Sequence, residues 1–133
     1  MTLDCNYSLL ITDDDASSRE TLREIFEPVG FRTLLAESGE EAIDIAQGQV
    51  IHLALMDMHL PRLTGLETMT ILRQMKGGLP MILISADHDD NLLRQALSAQ
   101  AFCVLAKPVS RNVVIYVVNR ALQKFYTASN SLN

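Results

Sequence analysis

The hydrophobic pattern of the chain is repetitive, with short apolar runs that recur at intervals of about 20 to 25 residues. Most of these runs are apolar at every position, which is typical of strands covered by helices on both faces of a parallel sheet. The pattern predicts five strands, at 9–12, 31–36, 51–56, 81–85 and 102–106.

The segments between the strands have apolar residues at helical spacing and local signals for helix ends. Ser38 and Glu41 have the spacing of a capping box, which predicts a helix start. Pro28 and Gly30 are expected to end the first helix, and the glycines and proline of 77–80 the third. Helical spacing is seen at Leu22, Ile25, Phe26 and Val29, and again at Ala42, Ile45 and Ala46. A last helix over about 110–126 has a predicted core face of Val114, Val117, Val118, Ala121, Leu122 and Phe125.

This alternation predicts an α/β fold, a doubly wound parallel sheet of five strands with right-handed crossovers. Residues 1–126 form one domain in this prediction, and the polar residues 127–133 are a tail or the start of a truncated linker. Functional sites of such sheets lie at the carboxyl ends of the strands. The residues that follow each strand are therefore the first candidates for chemistry.

Composition and charge narrow the class of protein. The chain has 133 residues, 48% of them hydrophobic, as expected for one soluble domain. Its formal net charge of −5 and its scattered basic residues argue against nucleic-acid binding. The chain has neither a membrane-spanning apolar run nor a signal peptide, which predicts a cytoplasmic location. Cys5 and Cys103 lack metal-site or redox-motif spacing and are expected to stay reduced.

Polar and charged residues follow four of the predicted strands. Asp13 and Asp14 follow the first strand, Asp57 follows the third, Ser85 ends the fourth and Lys107 follows the fifth. Three crowded carboxylates repel one another unless a cation compensates their charge. An oxygen-only ligand set suits Mg²⁺, and a bound Mg²⁺ in turn favours a phosphoryl group.

Several short motifs at these positions resemble those of response-regulator receiver domains. The motifs are Asp13-Asp14, Met56-Asp57-Met58 with Pro61 and Gly65 downstream, Ser85-Ala86 and Lys107-Pro108. The resemblance covers about residues 7–126, nearly the whole chain. It implies a flavodoxin-like receiver fold with strand order 2-1-3-4-5 and a phosphorylation-dependent switch of a two-component system.

The resemblance also implies a phosphoacceptor and a metal site. Asp57 would accept a phosphoryl group from a phosphohistidine of a sensor histidine kinase or a histidine phosphotransfer protein. Asp14 would bind Mg²⁺ directly and Asp13 partly through water. The Asp57 carboxylate and the backbone carbonyl of His59 would complete the protein ligands.

Two further residues are implied to act on the phosphoryl group. Lys107, joined to Pro108 by a cis peptide bond, would pair with Asp57 and then with the phosphoryl oxygens. Ser85 would donate its hydroxyl to a phosphoryl oxygen and draw the following loop inward. The domain would then be a switch that catalyses its own phosphorylation and slow autodephosphorylation, not an enzyme with a separate substrate. An output partner or effector domain would bind the face formed by helix 4, strand 5 and helix 5.

The chain departs from the family pattern at Val104, where receivers usually have Tyr or Phe. Phe102 lies on the same side of the strand by the period of two, yet further from the site. We therefore hypothesise that the output surface responds through displacement of helix 4 and its preceding loop. His59 and Asp87 are expected to flank the entrance for the hydrolytic water. The residues predicted to modulate the switch are His59, Asp87, Ala86, Val104 and Pro108.

Three alternatives remain at this point. A constitutive interaction scaffold would not need phosphorylation, although the intact acidic, hydroxyl and ammonium groups argue against it. A phosphatase of the haloacid dehalogenase type fits poorly because His59 stands where that family has a second Asp. A flavin-binding role is disfavoured because the acidic 13–15 segment would repel a phosphate. Val113, Ile115 and Tyr116 lie off the predicted core stripe, where they form an apolar surface for a homodimer or partner, or pack loosely against the helix-4 loop.

Overall fold

The computed structural model describes residues 7–87 and 89–127. Its five strands are β1 (Ser8–Thr12), β2 (Arg32–Ala36), β3 (Leu53–Asp57), β4 (Met81–Ser85) and β5 (Cys103–Ala106). They form one parallel sheet in the order β2-β1-β3-β4-β5. This order confirms the predicted fold class. Each predicted strand lies within two residues of an observed one, because continuous apolar runs mark the buried strands well.

Five α-helices connect and follow the strands. They are α1 (Ala16–Phe26), α2 (Gly39–Gly48), α3 (Gly65–Met75), α4 (Asp90–Ser98) and α5 (Arg111–Leu122). A 3-10 helix, Glu27–Val29, follows α1, and a π-helical turn, Gln123–Thr127, follows α5. Within the described residues, no helix has the length and apolar character needed to cross a membrane.

The sheet separates two apolar clusters, one on each face. Leu10, Met56 and Leu83 face the helices α2, α3 and α4. The neighbouring strand residues Ile11 and Leu55 face α1 and α5 instead. Because side chains alternate along a strand, an apolar residue at every position covers both faces. The core therefore fixes the sheet in place between two helical layers.

The helix ends follow the predicted chemistry with one exception. Gly30 ends the segment after α1 with φ 103°, a left-handed conformation that glycine adopts without strain. The predicted capping box at Ser38 is only half formed. The Ser38 hydroxyl accepts from the Glu41 amide, but the Glu41 carboxylate accepts from the Glu37 amide rather than from Ser38. The complete capping box lies instead at the start of α3, between a threonine and a glutamate that were not singled out.

Two apolar residues of the predicted helical patterns are exposed, and the placement of Phe125 on the core face of the last helix is wrong. Val29 is 44% exposed because α1 gives way to a 3-10 helix before this position, so the helical spacing no longer applies. Phe125 is 36% exposed because α5 ends at Leu122 and the π-helical turn rotates the ring off the core stripe. The division at residue 126 stays a prediction, and residues 128–133 and Cys5 lie outside the described residues.

Candidate functional site

The carboxyl ends of the strands bring an ammonium group between two carboxylates. Asp13 follows β1, Asp57 ends β3 and Lys107 follows β5. The Lys107 Nζ atom lies 3.1 Å from Asp13 Oδ2 and 3.2 Å from Asp57 Oδ2. The parallel arrangement thus joins residues that are 94 and 50 positions apart in the chain.

Three carboxylates form a compact acidic cluster at this edge of the sheet. One oxygen each of Asp13, Asp14 and Asp57 lies within 4.8 Å of the other two. Asp13 and Asp57 are buried, whereas Asp14 is exposed. Oxygen-only donors are the ligands that Mg²⁺ prefers, and the exposed member leaves room for retained water. The residues present therefore fit a Mg²⁺ ion.

The loop after β1 is fixed by bonds that the sequence did not reveal. Asp13 Oδ1 accepts from the Asp15 amide at 2.9 Å, and the Asp13 carbonyl accepts from Arg19 Nη1 at 2.7 Å. Asp15 itself caps α1 by accepting from the amide and hydroxyl of Ser18. These contacts leave one buried oxygen of Asp13 for Lys107 and the acidic cluster.

The charge of Asp57 is costly in this environment. Burial raises the pKa of Asp57, and the neighbouring Asp13 adds to this shift. The His59 amide, which donates to Asp57 Oδ1 at 3.1 Å, and the Lys107 ammonium oppose the shift without cancelling it. A divalent cation at the cluster would relieve the remaining cost, because it favours the ionised carboxylate.

Lys107 stays charged beside these acids. Burial alone would lower the pKa of Lys107, but its contacts with Asp13 and Asp57 outweigh burial and raise the pKa. The Lys107 amide donates to the Ser85 carbonyl at 2.9 Å, which fixes the loop after β5 against β4. The predicted cis peptide bond between Lys107 and Pro108 is present.

Ser85 lies next to the acidic cluster and is fully buried. Its hydroxyl oxygen accepts from the Asp87 amide at 3.0 Å. Within the described residues, no hydrogen bond joins this hydroxyl to Asp57 or Lys107. The following residue, Ala86, is exposed in a bend.

His59 and Asp87 contact each other, a pairing that sequence reasoning missed. Nε2 of His59 lies 2.9 Å from Oδ2 of Asp87, and the two side chains are 56% and 60% exposed. They belong to the loops after β3 and β4. Both loops follow strands at the same sheet edge, but their conformations could not be derived from strand order.

Phe102, which precedes β5, does not replace the aromatic ring that is absent at Val104. Val104 packs with the cluster under α2, α3 and α4. Phe102 packs instead on the α1 and α5 side, with its ring 6.5 Å from that of Phe125. The prediction that Phe102 shares a side with Val104 is wrong, because Phe102 precedes β5 and the strand alternation does not extend to it. A cavity of about 240 Å³ lies between Val104 and α4.

A model of the response regulator receiver domain matches residues 9–119, most of the chain. The chain belongs to this family. Family membership confirms the resemblance and places the chain among the receiver domains of two-component and phosphorelay signalling. It also argues against the phosphatase and flavin-binding alternatives. Receiver domains bind Mg²⁺ at an acidic pocket, and the acidic cluster of this receiver could hold one.

Known relatives share the domain at modest identity. The receiver is 26% identical to response regulator RR06 of Streptococcus pneumoniae, over 90% of this chain and 54% of that protein. It is 28% identical to sporulation initiation phosphotransferase F of Bacillus subtilis, over 77% of this chain and 83% of that protein. The chain spans about half or less of the first six curated relatives it matches.

Solved structures show the same fold. A CheY-like receiver domain protein from Methanospirillum hungatei JF-1 superposes with a TM-score of 0.89 at 22% identity, covering 93% of this chain and 99% of that one. The BeF3-activated receiver domain of DrrB superposes with a TM-score of 0.82 at 21% identity, covering 90% and 99%. At these identities the likeness establishes the fold alone.

The raised pKa of Asp57 gives a stability prediction. In Mg²⁺-free buffer at neutral pH, Asp57→Asn is expected to unfold about 4 °C above the wild type, for a gain of about 1 kcal/mol. Folding raises the pKa of Asp57, so the ionised carboxylate destabilises the folded state at pH values above this pKa. The difference in stability between the two proteins should vanish once the pH falls below the pKa of an aspartate in the unfolded chain. Thermal unfolding with Asp44→Asn, an exposed change on α2, as the control checks this. An Asp57→Asn midpoint at or below that of the wild type would contradict it.

Proposed function

We propose that this receiver is a phosphorylation-dependent switch in which Asp57 accepts a phosphoryl group from a phosphohistidine donor. The observation that carries the proposal is the buried Asp57 carboxylate, which is held by Lys107 and crowded by two other acids. An anionic oxygen that is costly to keep ionised, beside a fixed cation, is suited to nucleophilic attack on phosphorus. A constitutive scaffold would have no use for this arrangement.

The transfer balances without a further reactant. A carboxylate oxygen of Asp57 forms the new bond to phosphorus while the phosphorus–nitrogen bond of the donor breaks. The donor imidazole leaves with the bonding electron pair and takes up a proton. An acyl phosphate remains on Asp57, and its later hydrolysis by water returns the resting carboxylate.

The acidic cluster is proposed to hold Mg²⁺. Asp14 would bind the ion directly and Asp13 partly through water, with the Asp57 carboxylate and the His59 backbone carbonyl as the other protein ligands. When bound, the ion neutralises charge on the phosphoryl oxygens. Asp13 is already fixed by the Asp15 amide, so little reorganisation is needed on its side.

Lys107 and Ser85 are proposed to read the added phosphoryl group. The Lys107 ammonium donates to Asp57 at rest and would donate to phosphoryl oxygens once they are present. The buried Ser85 hydroxyl would turn towards the same oxygens and draw the β4–α4 loop with it. The domain thereby promotes its own modification and is not an enzyme with a separate substrate.

The donor is proposed to be a sensor histidine kinase or a histidine phosphotransfer protein. A cavity of about 430 Å³ opens beside Asp13 and Lys107, between α1 and the loop after β5. It provides space next to Asp13 and Lys107 for groups that flank a donor histidine. The output partner, an effector domain or a second copy of the chain, would bind the α4–β5–α5 face. The large apolar side chains exposed on α4 and α5 are Leu93, Leu97, Val113 and Tyr116.

The proposal is tested by locating the phosphoryl group. The receiver is treated with phosphoramidate, a small donor with a phosphorus–nitrogen bond, in the presence of Mg²⁺. Borohydride then reduces any acyl phosphate to an alcohol, and peptide mass spectrometry finds the changed aspartate. We expect reduction at Asp57 alone. Reduction at Asp13 or Asp14, or none while a known receiver is modified, would contradict the proposal.

His59 and Asp87 are predicted to control the lifetime of the phosphoryl group. Their side chains contact each other, and we expect the pair to flank the entrance to Asp57. His59→Ala and Asp87→Ala are therefore each expected to change the autodephosphorylation rate severalfold. The formation rate should change less, because neither side chain contacts the acceptor. The decay of phosphorylated mass after donor removal measures this, with Glu40→Ala as control. Equal lifetimes in all four proteins would defeat the prediction.

Switching is predicted to reach the output face through the β4–α4 loop and α4. With Val104 in place of a ring, beryllofluoride, a phosphoryl analogue, is expected to shift the backbone NMR signals of residues 86–98 when added with Mg²⁺. Signals of α2, which packs near the opposite edge of the sheet, should move little. Unshifted signals over 86–98 in a protein that binds the analogue would refute this route.

A further inference from the structure

Two hydrogen bonds and one contact between side chains join Asp57 to Ser85 across the outside of the site. The His59 amide donates to Asp57 Oδ1 at 3.1 Å, the His59 imidazole and Asp87 carboxylate lie 2.9 Å apart, and the Asp87 amide donates to Ser85 Oγ at 3.0 Å. We name the middle contact, between the side chains of His59 and Asp87, the His59–Asp87 strap. It links the loop after β3 to the loop after β4.

The strap restrains a group that the proposed function requires to move. Ser85 is fully buried, and its Oγ atom accepts a hydrogen bond from the Asp87 amide. To serve the phosphoryl group, the hydroxyl must turn and the Asp87 amide must follow or release it. The Asp87 side chain is meanwhile anchored to His59, whose own amide is anchored to Asp57. Movement of the loop therefore requires the strap to open.

We propose that His59 and Asp87 are positioning residues that hold the Ser85 hydroxyl in its resting orientation through the strap. Opening of the strap accompanies the turn of the hydroxyl towards the phosphoryl group on Asp57. The opening of the strap rests on the proposed function, whereas its hold on the Ser85 hydroxyl concerns the resting protein alone. Neither residue needs to touch the reacting atoms for this role.

The strap is a surface contact between the His59 imidazole and the Asp87 carboxylate. More than half of each side chain is exposed, so solvent screens the contact. Exposed pairs of this kind change an equilibrium by about threefold rather than by orders of magnitude. The strap is thus weak enough for a phosphoryl group to open.

The resting half of the proposal is tested by hydrogen exchange of the Asp87 amide in the unphosphorylated chain. His59→Ala keeps the backbone contact to Asp57 but removes the imidazole, so protection of this amide is expected to fall about threefold. Glu40→Ala is the matched control, because it breaks another exposed ion pair of the β3–α3 loop, with Arg62. Unchanged protection in His59→Ala, or an equal fall in Glu40→Ala, would overturn the proposal.

The switching half is tested by a double-mutant cycle on the affinity for beryllofluoride with Mg²⁺. His59→Ala and Asp87→Ala are each expected to raise the affinity about threefold, and the double variant no further, since either change alone opens the strap. Asp87→Asn, with His59 intact, keeps an acceptor for the imidazole and should therefore bind beryllofluoride with wild-type affinity.

Two outcomes of the cycle would overturn the strap. A ninefold gain in the double variant would mean that the two residues act separately. Equal effects of Asp87→Asn and Asp87→Ala would mean that the charge of Asp87, and not its hydrogen bond, sets the affinity. Failure of the wild type to bind beryllofluoride would instead count against the proposed function, and the exchange experiment would still decide the resting half.

Discussion

Gly65→Ala is expected to destabilise the receiver by about 3 kcal/mol and to lower its unfolding midpoint by about 12 °C. A Cβ atom at this position would lie 2.3 Å from the Asp57 carbonyl oxygen and 2.8 Å from Met58 Cα. Both atoms belong to the backbone at the end of β3, so no flexible side chain can move aside. The start of α3 would have to shift away from the strand that carries Asp57.

Gly48→Ala is the matched control for this substitution. Gly48 is the last residue of α2, and a Cβ atom there would meet nothing within 4 Å. Its replacement is expected to leave the receiver unchanged or up to about 1 kcal/mol more stable, because alanine restricts the unfolded chain. Thermal unfolding of the two variants side by side measures the contrast. Similar midpoints would show that the close approach of α3 to β3 is not rigid.

Asp14→Asn is expected to weaken Mg²⁺ binding at least tenfold. Asp14 is the exposed member of the acidic cluster and the proposed direct ligand, and an amide is a much poorer ligand for a hard cation than a carboxylate. Asp15→Asn removes the neighbouring negative charge but not a member of the cluster. Calorimetric titration with Mg²⁺ compares the two affinities.

The contrast with Asp15 depends on how its carboxylate is used. Asp15 accepts from the amide and hydroxyl of Ser18 at the start of α1, and the first of these bonds is the main cause of its lowered pKa. Asparagine can also cap a helix, so the fold should survive. We expect less than a twofold loss of Mg²⁺ affinity for Asp15→Asn. An equal loss of Mg²⁺ affinity in both variants would mean that Asp14 acts only through its negative charge and not as a ligand.

The sheet and most of the site could be predicted because they depend on strand order. A continuous apolar run needs no partner to be recognised, and the residue after it must lie at the carboxyl edge of a parallel sheet. Strand order alone therefore brings Asp13, Asp57 and Lys107 to the same edge of the sheet. The observed contacts of 3.1 and 3.2 Å agree with it.

The remaining features depend on loop conformation and close packing, which a periodic pattern does not encode. The His59–Asp87 strap joins two loops, and the Arg19 bond to the Asp13 carbonyl depends on where α1 begins. Phe102 lies just outside β5, where the strand period stops applying. Gly65 is recognisable in the sequence as part of a motif, but its close approach to Asp57 depends on how α3 packs against β3.

Intact mass spectrometry tests whether Asp57 is a Mg²⁺-dependent phosphoacceptor, as proposed. Wild type and Asp57→Asn are incubated with acetyl phosphate, each with and without Mg²⁺. We expect the addition of one phosphoryl group to the wild type with Mg²⁺ and to none of the other three samples. Addition to Asp57→Asn, addition without Mg²⁺, or no addition while a known receiver is modified would contradict it.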